Sequence, residues 1–112
     1  MADPRIEPFD SGAVVTLAGE LDAFDAPSLR EAFHSLMEAG PEVIVLDLSA
    51  VAFLDSTVLG TIVGLLRRVR EGGGELRTVL PDTTALRIFE ITGLVAALDV
   101  WPSREAAVAG TA

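Results

Sequence analysis

The most restrictive feature of this sequence is the apolar run VIVL at residues 43–46, which lies between two amphipathic segments. Four consecutive apolar residues are typical of a strand that is covered on both faces, as the central strands of parallel sheets are. The sequence therefore predicts that VIVLDLS, residues 43–49, forms the middle strand of a sheet.

A helix is predicted on each side of this strand, because apolar residues recur there at helical spacing. The first helix has Asp25 and Pro27 as start signals and Gly40 as a stop signal, and the second ends at the glycines of residues 72–74. The apolar stripe residues are Leu29, Ala32, Phe33, Leu36 and Met37 in the first helix and Val58, Leu59, Ile62, Leu65, Leu66 and Val69 in the second.

The remaining segments predict further strands and helices, whose order along the chain indicates the fold class. Further strands are predicted at residues 5–9, 13–21, 75–80 and 97–101, and further helices at residues 82–93 and 103–109. A strand pair followed by repeated helix-strand units predicts an α/β domain, with a mixed β-sheet of four to five strands and helices packed against it. We expect residues 1–112 to form a single domain, because a chain of this length that is 50% apolar can bury one core.

Composition excludes several classes of function. The net charge of −9, with arginines spread along the chain, argues against direct binding of nucleic acid. The chain has no cysteine, which excludes disulfides and thiolate metal sites. Since no run approaches the roughly 20 apolar residues of a membrane helix and no signal segment is evident, we expect a cytoplasmic protein without direct membrane binding.

The segment FLDSTVLG, residues 53–60, places three polar residues inside an apolar region. A nucleophilic serine at position 56 would need a nearby base, yet the only histidine is His34, in the first predicted helix. There is also no G-x-S-x-G motif, and the scattered carboxylates do not form a metal-ligand pattern. The sequence therefore predicts a protein that is not an enzyme and that binds no metal.

Asp55, Ser56 and Thr57 have two remaining interpretations. All three are preferred at helix starts, where replacement of the capping residue by alanine costs about 1 kcal/mol. A cap needs only one such residue, however, and the ends of central strands are common functional sites in α/β folds. A serine there is well placed for phosphorylation, because a helix N-terminus offers N–H donors to a phosphate. The residues alone leave both interpretations open.

Three segments together resemble the STAS domain family, specifically the small bacterial anti-sigma factor antagonists. They are VTLAGELDAFDAPSLREAF, VIVLDLSAVAFLDSTVLGTIVGLLRRVREGGGEL and ALRIFEITGL, and they span nearly the whole chain. The resemblance implies a protein whose unphosphorylated form captures an anti-sigma factor and so frees a sigma factor. It also implies that this partner is a serine kinase with its own ATP and magnesium, that a serine phosphatase resets the system, and that the chain itself needs no cofactor.

The resemblance also assigns roles to particular positions. The phosphorylated serine of the family falls on Ser56, with Thr57 as the second choice. The partner-binding surface of the family falls on Asp22, Asp55, Ser56, Thr57 and Val58. Where the family often has glycine or alanine after the hydroxyl pair, this chain has Val58, whose bulk beside the acceptor is expected to affect partner choice.

Two other functions are compatible with the same resemblance. Single STAS domains also serve as accessory subunits of stress-sensing or lipid-transport complexes, and a STAS domain that itself binds a nucleotide is a third class.

Overall fold

The strands of the computed structural model form one sheet, in which their spatial order follows their order in the chain. The structure describes residues 4–81 and 86–110. The strands are β1 (Arg5–Phe9), β2 (Gly12–Leu21), β3 (Val43–Leu54), β4 (Glu75–Val79) and β5 (Asp99–Val100). The helices are α1 (Ala26–Glu38), α2 (Ser56–Glu71), α3 (Leu86–Ile91) and α4 (Arg104–Ala109), with a short 3-10 helix at Leu94–Ala97.

The sheet is mixed, because β1 pairs antiparallel with β2 and all other neighbours are parallel. β3 lies at its centre. Within the apolar run of β3, Ile44 and Leu46 belong to the larger apolar cluster, whereas Val45 packs with Val14 and Val79 on the opposite face. Both the predicted fold class and the central position of residues 43–46 are confirmed.

The larger cluster lies beneath α1 and α2, which pack against each other and against one face of the sheet. The predicted stripe of α2 is buried along its whole length, and in α1 the side chains of Leu29, Phe33 and Leu36 are buried. Because α2 begins directly after β3, this packing fixes the position of its first turn relative to the end of the central strand.

The opposite face of the sheet is covered by α4, which a polar cluster holds in place. Arg104 Nε donates to Asp47 Oδ2 at 2.9 Å, and Arg104 Nη2 donates to the Thr16 hydroxyl at 2.5 Å. Asp47 Oδ1 accepts from the Ser49 N–H at 3.0 Å and from the Ser49 hydroxyl at 2.6 Å. Burial raises the pKa of Asp47, but the bonds from Ser49 and Arg104 and the charge of Arg104 outweigh it, so this pKa lies below its usual value.

Several element boundaries differ from the predicted ones, most clearly those of β3 and β5. β3 continues to Leu54, past the predicted end at Ser49, because its pairing with β2 extends as far as Leu21. β5 contains only two residues, since the predicted strand at 97–101 begins within the 3-10 helix. The predicted third helix at 82–93 corresponds to α3 in its described part, and its predicted start at residues 82–85 lies outside the described residues.

Asp25 marks the start of α1 as predicted, but its side chain does not act as a cap. Asp25 does occupy the N-cap position of α1, but its side chain makes no capping hydrogen bond to that helix. Asp25 Oδ2 accepts instead from the Asp22 N–H at 2.8 Å, so the carboxylate closes the preceding turn.

Candidate functional site at the carboxyl end of the central strands

The predicted site residues converge because β2 and β3 end side by side. Leu21 and Leu54 are register partners, and the Asp55 N–H donates to the Leu21 carbonyl at 3.2 Å. The ladder between the two strands therefore continues to the first residue after β3. This places Asp22, which follows β2, next to Asp55 at the carboxyl ends of these two strands.

Asp55 caps α2. Its backbone is extended, with φ −97° and ψ 177°, and its Oδ1 accepts from the Val58 N–H at 3.0 Å. Ser56 is the first residue of α2, and both Ser56 and Thr57 are exposed. The prediction that Ser56 lies at a helix start is confirmed, and the residue is at the surface.

Replacing Asp55 by alanine is expected to lower the free energy of unfolding by about 1 kcal/mol, because the Val58 N–H loses its acceptor. Asp55→Asn is the matched control, since an asparagine side chain also caps well and should stay within about 0.5 kcal/mol of the original chain. Urea unfolding followed by circular dichroism measures both. Equal losses in the two variants would show that the charge of Asp55, rather than its capping bond, stabilises the fold.

Asp22 is part of a tight turn between β2 and α1. Its Oδ1 accepts from the Phe24 N–H at 3.0 Å, and its carbonyl accepts from the Asp25 N–H at 2.9 Å. The side chain is nevertheless exposed. Asp22 therefore shapes the turn and also presents negative charge beside Asp55.

Two aromatic residues of this region were missed by sequence reasoning. Phe24, in the Asp22 turn, is 90% exposed, and Phe53, near the end of β3, is 50% exposed. The sequence did contain a signal that Phe24 is exposed, because this residue lies between Asp22 and Asp25 and outside the apolar stripe of α1. Aromatic side chains, phenylalanine included, are enriched in the buried centres of protein interfaces.

Val58 differs from the other predicted partner-binding residues because its side chain is 0% exposed and belongs to the core. A partner cannot reach this side chain in the folded protein. The extra bulk relative to glycine or alanine is accommodated inside the core, which corrects the expectation that it lies beside the acceptor hydroxyl.

His34 is placed away from the serine. Its Nδ1 lies 3.5 Å from Arg68 Nη2, and its Nε2 lies 3.0 Å from Glu38 Oε1. Arg68 is twelve residues beyond Ser56 on α2, which corresponds to about 18 Å along the helix axis. The imidazole therefore lies toward the other end of α2.

A groove of about 520 Å³ runs between α1 and α2, with Thr57 at one end and Arg68 and His34 toward the other. Gly60 and Gly64 line it, and an added Cβ at either glycine would meet no atom within 4 Å. Glycine inside a helix costs about 1 kcal/mol relative to alanine. The chain thus keeps glycine at two positions where alanine would fit and would stabilise the helix.

Within residues 4–81 and 86–110, no group of three or more His, Cys, Asp or Glu side chains could hold a metal ion. No helix in the same part of the chain has the length and apolar character needed to cross a membrane.

Comparisons with known proteins give consistent matches. The model of the STAS domain family matches residues 3–107. The anti-sigma-B factor antagonist of Bacillus subtilis (strain 168) is 37% identical over 94 residues, which are 84% of this chain and 85% of that protein.

Solved structures show the same fold. The crystal structure of an anti-sigma factor antagonist from Mycobacterium paratuberculosis matches with a TM-score of 0.87 and 27% identity, and the match covers 99% of this chain and 94% of that one. The Bacillus cell fate determinant SpoIIAA in its phosphorylated form matches with a TM-score of 0.72 and 23% identity, over 93% of this chain and 96% of that one.

Proposed function

The chain belongs to the STAS domain family, and on that basis we propose that it is an anti-sigma factor antagonist. In its unphosphorylated form it binds an anti-sigma factor that is also a serine kinase, and the sigma factor is thereby released. ATP and magnesium belong to the kinase, and this chain acts by binding rather than by catalysis. A serine phosphatase restores the active form.

The observation that carries the proposal is the exposed Ser56 hydroxyl at the first position of α2, beside Asp22 and Asp55. A kinase can reach this hydroxyl without unfolding the helix. A protein of the same fold has been solved in a phosphorylated form, which supports a phosphorylation switch.

The electrostatics of the site explain how a phosphate on Ser56 would act. At a helix N-terminus the phosphate meets free N–H groups and a favourable dipole contribution of about 0.3–1 kcal/mol, so the fold should be retained. Up to two negative charges are added beside Asp22 and Asp55, however, and burying them in an interface without matching cations is costly. The switch therefore acts on binding.

We expect phosphorylation of Ser56 to weaken binding to the anti-sigma partner at least about tenfold, equivalent to roughly 1.4 kcal/mol. Ser56→Glu should also bind weakly, whereas Ser56→Ala should bind persistently and resist the kinase. Titration calorimetry of each form against the partner measures the affinities, and circular dichroism confirms folding.

Thr57→Ala is the matched control, because it removes the neighbouring exposed hydroxyl. It should remain a kinase substrate and lose affinity on phosphorylation as the original chain does. Equal affinities of all folded forms for the partner would mean that Ser56 only begins the helix and that the proposed switch is wrong.

A further inference from the structure

The groove between α1 and α2 is positively charged, although the chain carries a net charge of −9. Arg30 and Arg68 line it, and in the described part of the chain neither has a carboxylate oxygen within 4 Å. The imidazole of His34, which lies 3.5 Å from Arg68 Nη2, is paired with Glu38. Two guanidinium groups are therefore available to an acidic group from outside.

The shape of the groove suits a polypeptide. Gly60 and Gly64 leave open space above α2, so that a second backbone can approach this helix closely. From Thr57 to Arg68 the helix rises about 16 Å, a span that about five residues of extended chain would cover. The groove is open along this length, and its lining includes polar groups as well as the apolar side chains of Phe33 and Leu65.

The groove is also continuous with the proposed phosphorylation site. Thr57 lines one end of the groove and is the residue directly after Ser56. A protein that covers Ser56 can therefore extend along α2 without crossing another element.

We propose that this groove binds an acidic segment of the same partner that covers Ser56, an inference that rests on the proposed function. Carboxylates of that segment pair with Arg30 and Arg68, and its backbone packs over Gly60 and Gly64. The partner thus meets two surfaces of opposite charge. Its basic groups face Asp22 and Asp55, and its acidic segment faces the groove, which fixes the orientation of the complex.

Two groove variants and one matched control test the proposal. Gly64→Leu fills the groove, and Arg68→Glu reverses one of its charges. Arg67→Glu makes the same charge change at the adjacent residue, which is exposed but does not line the groove. Titration calorimetry with the anti-sigma partner should give at least about tenfold weaker binding for both groove variants and a change of less than about twofold for Arg67→Glu. Circular dichroism confirms that each variant is folded.

The possible outcomes separate this inference from the proposed function. If Ser56→Glu weakens binding while both groove variants bind normally, the groove inference is overturned and the proposed function stands. If the original chain does not bind the partner, both the groove inference and the proposed function are wrong. If Gly64→Leu weakens binding but Arg68→Glu acts no differently from Arg67→Glu, the groove is covered by a segment that is not acidic. A final experiment is NMR titration with inorganic phosphate and with ATP. Chemical-shift changes confined to the groove residues would show that the groove binds a small anion, and the inference of an acidic polypeptide segment would then be wrong.

Discussion

Replacing Asp47 by alanine is expected to lower the free energy of unfolding by about 3 kcal/mol, near the lower end of the range for breaking a buried ion pair. The variant removes the buried carboxylate partner of Arg104, which keeps only the exposed Glu7 carboxylate at 3.7 Å, and it leaves Ser49 without its acceptor. The Asp47 side chain is 7% exposed, whereas that of Arg104 is 34% exposed, so water and Glu7 can partly compensate the guanidinium charge and limit the loss. Urea unfolding at neutral pH measures the effect.

The same residue makes the stability dependent on pH in a defined direction. Because the pKa of Asp47 is lower in the folded chain than its unfolded value of about 3.9, its contribution is complete above about pH 5 and is lost as pH falls through the folded-state pKa. The difference in stability between the original chain and Asp47→Asn should therefore be constant from about pH 7 to pH 5 and should narrow below about pH 4.

Glu38→Ala provides the control for this prediction, since Glu38 pairs with His34 and both side chains are more than 60% exposed. Its effect on stability should stay within about 0.5 kcal/mol. A loss at Asp47 no larger than that at Glu38 would show that the polar cluster beneath α4 adds nothing measurable to the fold.

The contrast between Asp55 and Asp47 shows which features could be predicted from sequence. The Asp55 carboxylate accepts a hydrogen bond from the N–H of Val58, three residues away. Such local capping can be predicted from residue type and spacing. Asp47 pairs with Arg104, which is 57 residues away. Nothing in the local sequence around either residue selects the other as its partner, because the sheet and α4 bring them together.

The boundaries of the strands illustrate the same limit. The apolar run at residues 43–46 predicted the centre of β3 correctly, because burial on both faces leaves a pattern in the chain itself. Its continuation to Leu54 depends on pairing with β2, which includes register shifts between Thr16 and Ala18 and between Gly19 and Glu20. Hydrogen bonding to a distant strand leaves no comparable local pattern, so that end of β3 could not be placed.

Phe24 was missed although its position outside the apolar stripe of α1 was an available signal, and its exposure leads to the largest expected effect on binding. We expect Phe24→Ala to weaken binding to the anti-sigma partner by about 2 kcal/mol, roughly thirtyfold, as truncation of a central aromatic residue at an interface commonly does. The side chain is 90% exposed in the free chain, and it belongs to the turn that presents Asp22 beside Asp55. A partner that covers Ser56 and Asp22 can bury this ring and remove its apolar surface from water.

Two variants make the Phe24 prediction specific. Ile91→Ala removes another exposed apolar side chain, 77% exposed and located on α3, and should leave the affinity within about twofold of the original value. Phe24→Tyr keeps the ring and should retain most of the affinity. Because Phe24 makes little contact within the fold, Phe24→Ala should change the free energy of unfolding by no more than about 0.5 kcal/mol, so a weaker complex cannot be attributed to a weaker fold. If Phe24→Ala binds as tightly as Ile91→Ala while Ser56→Glu binds poorly, the partner approaches Ser56 from the α2 side and leaves the Asp22 turn in solvent.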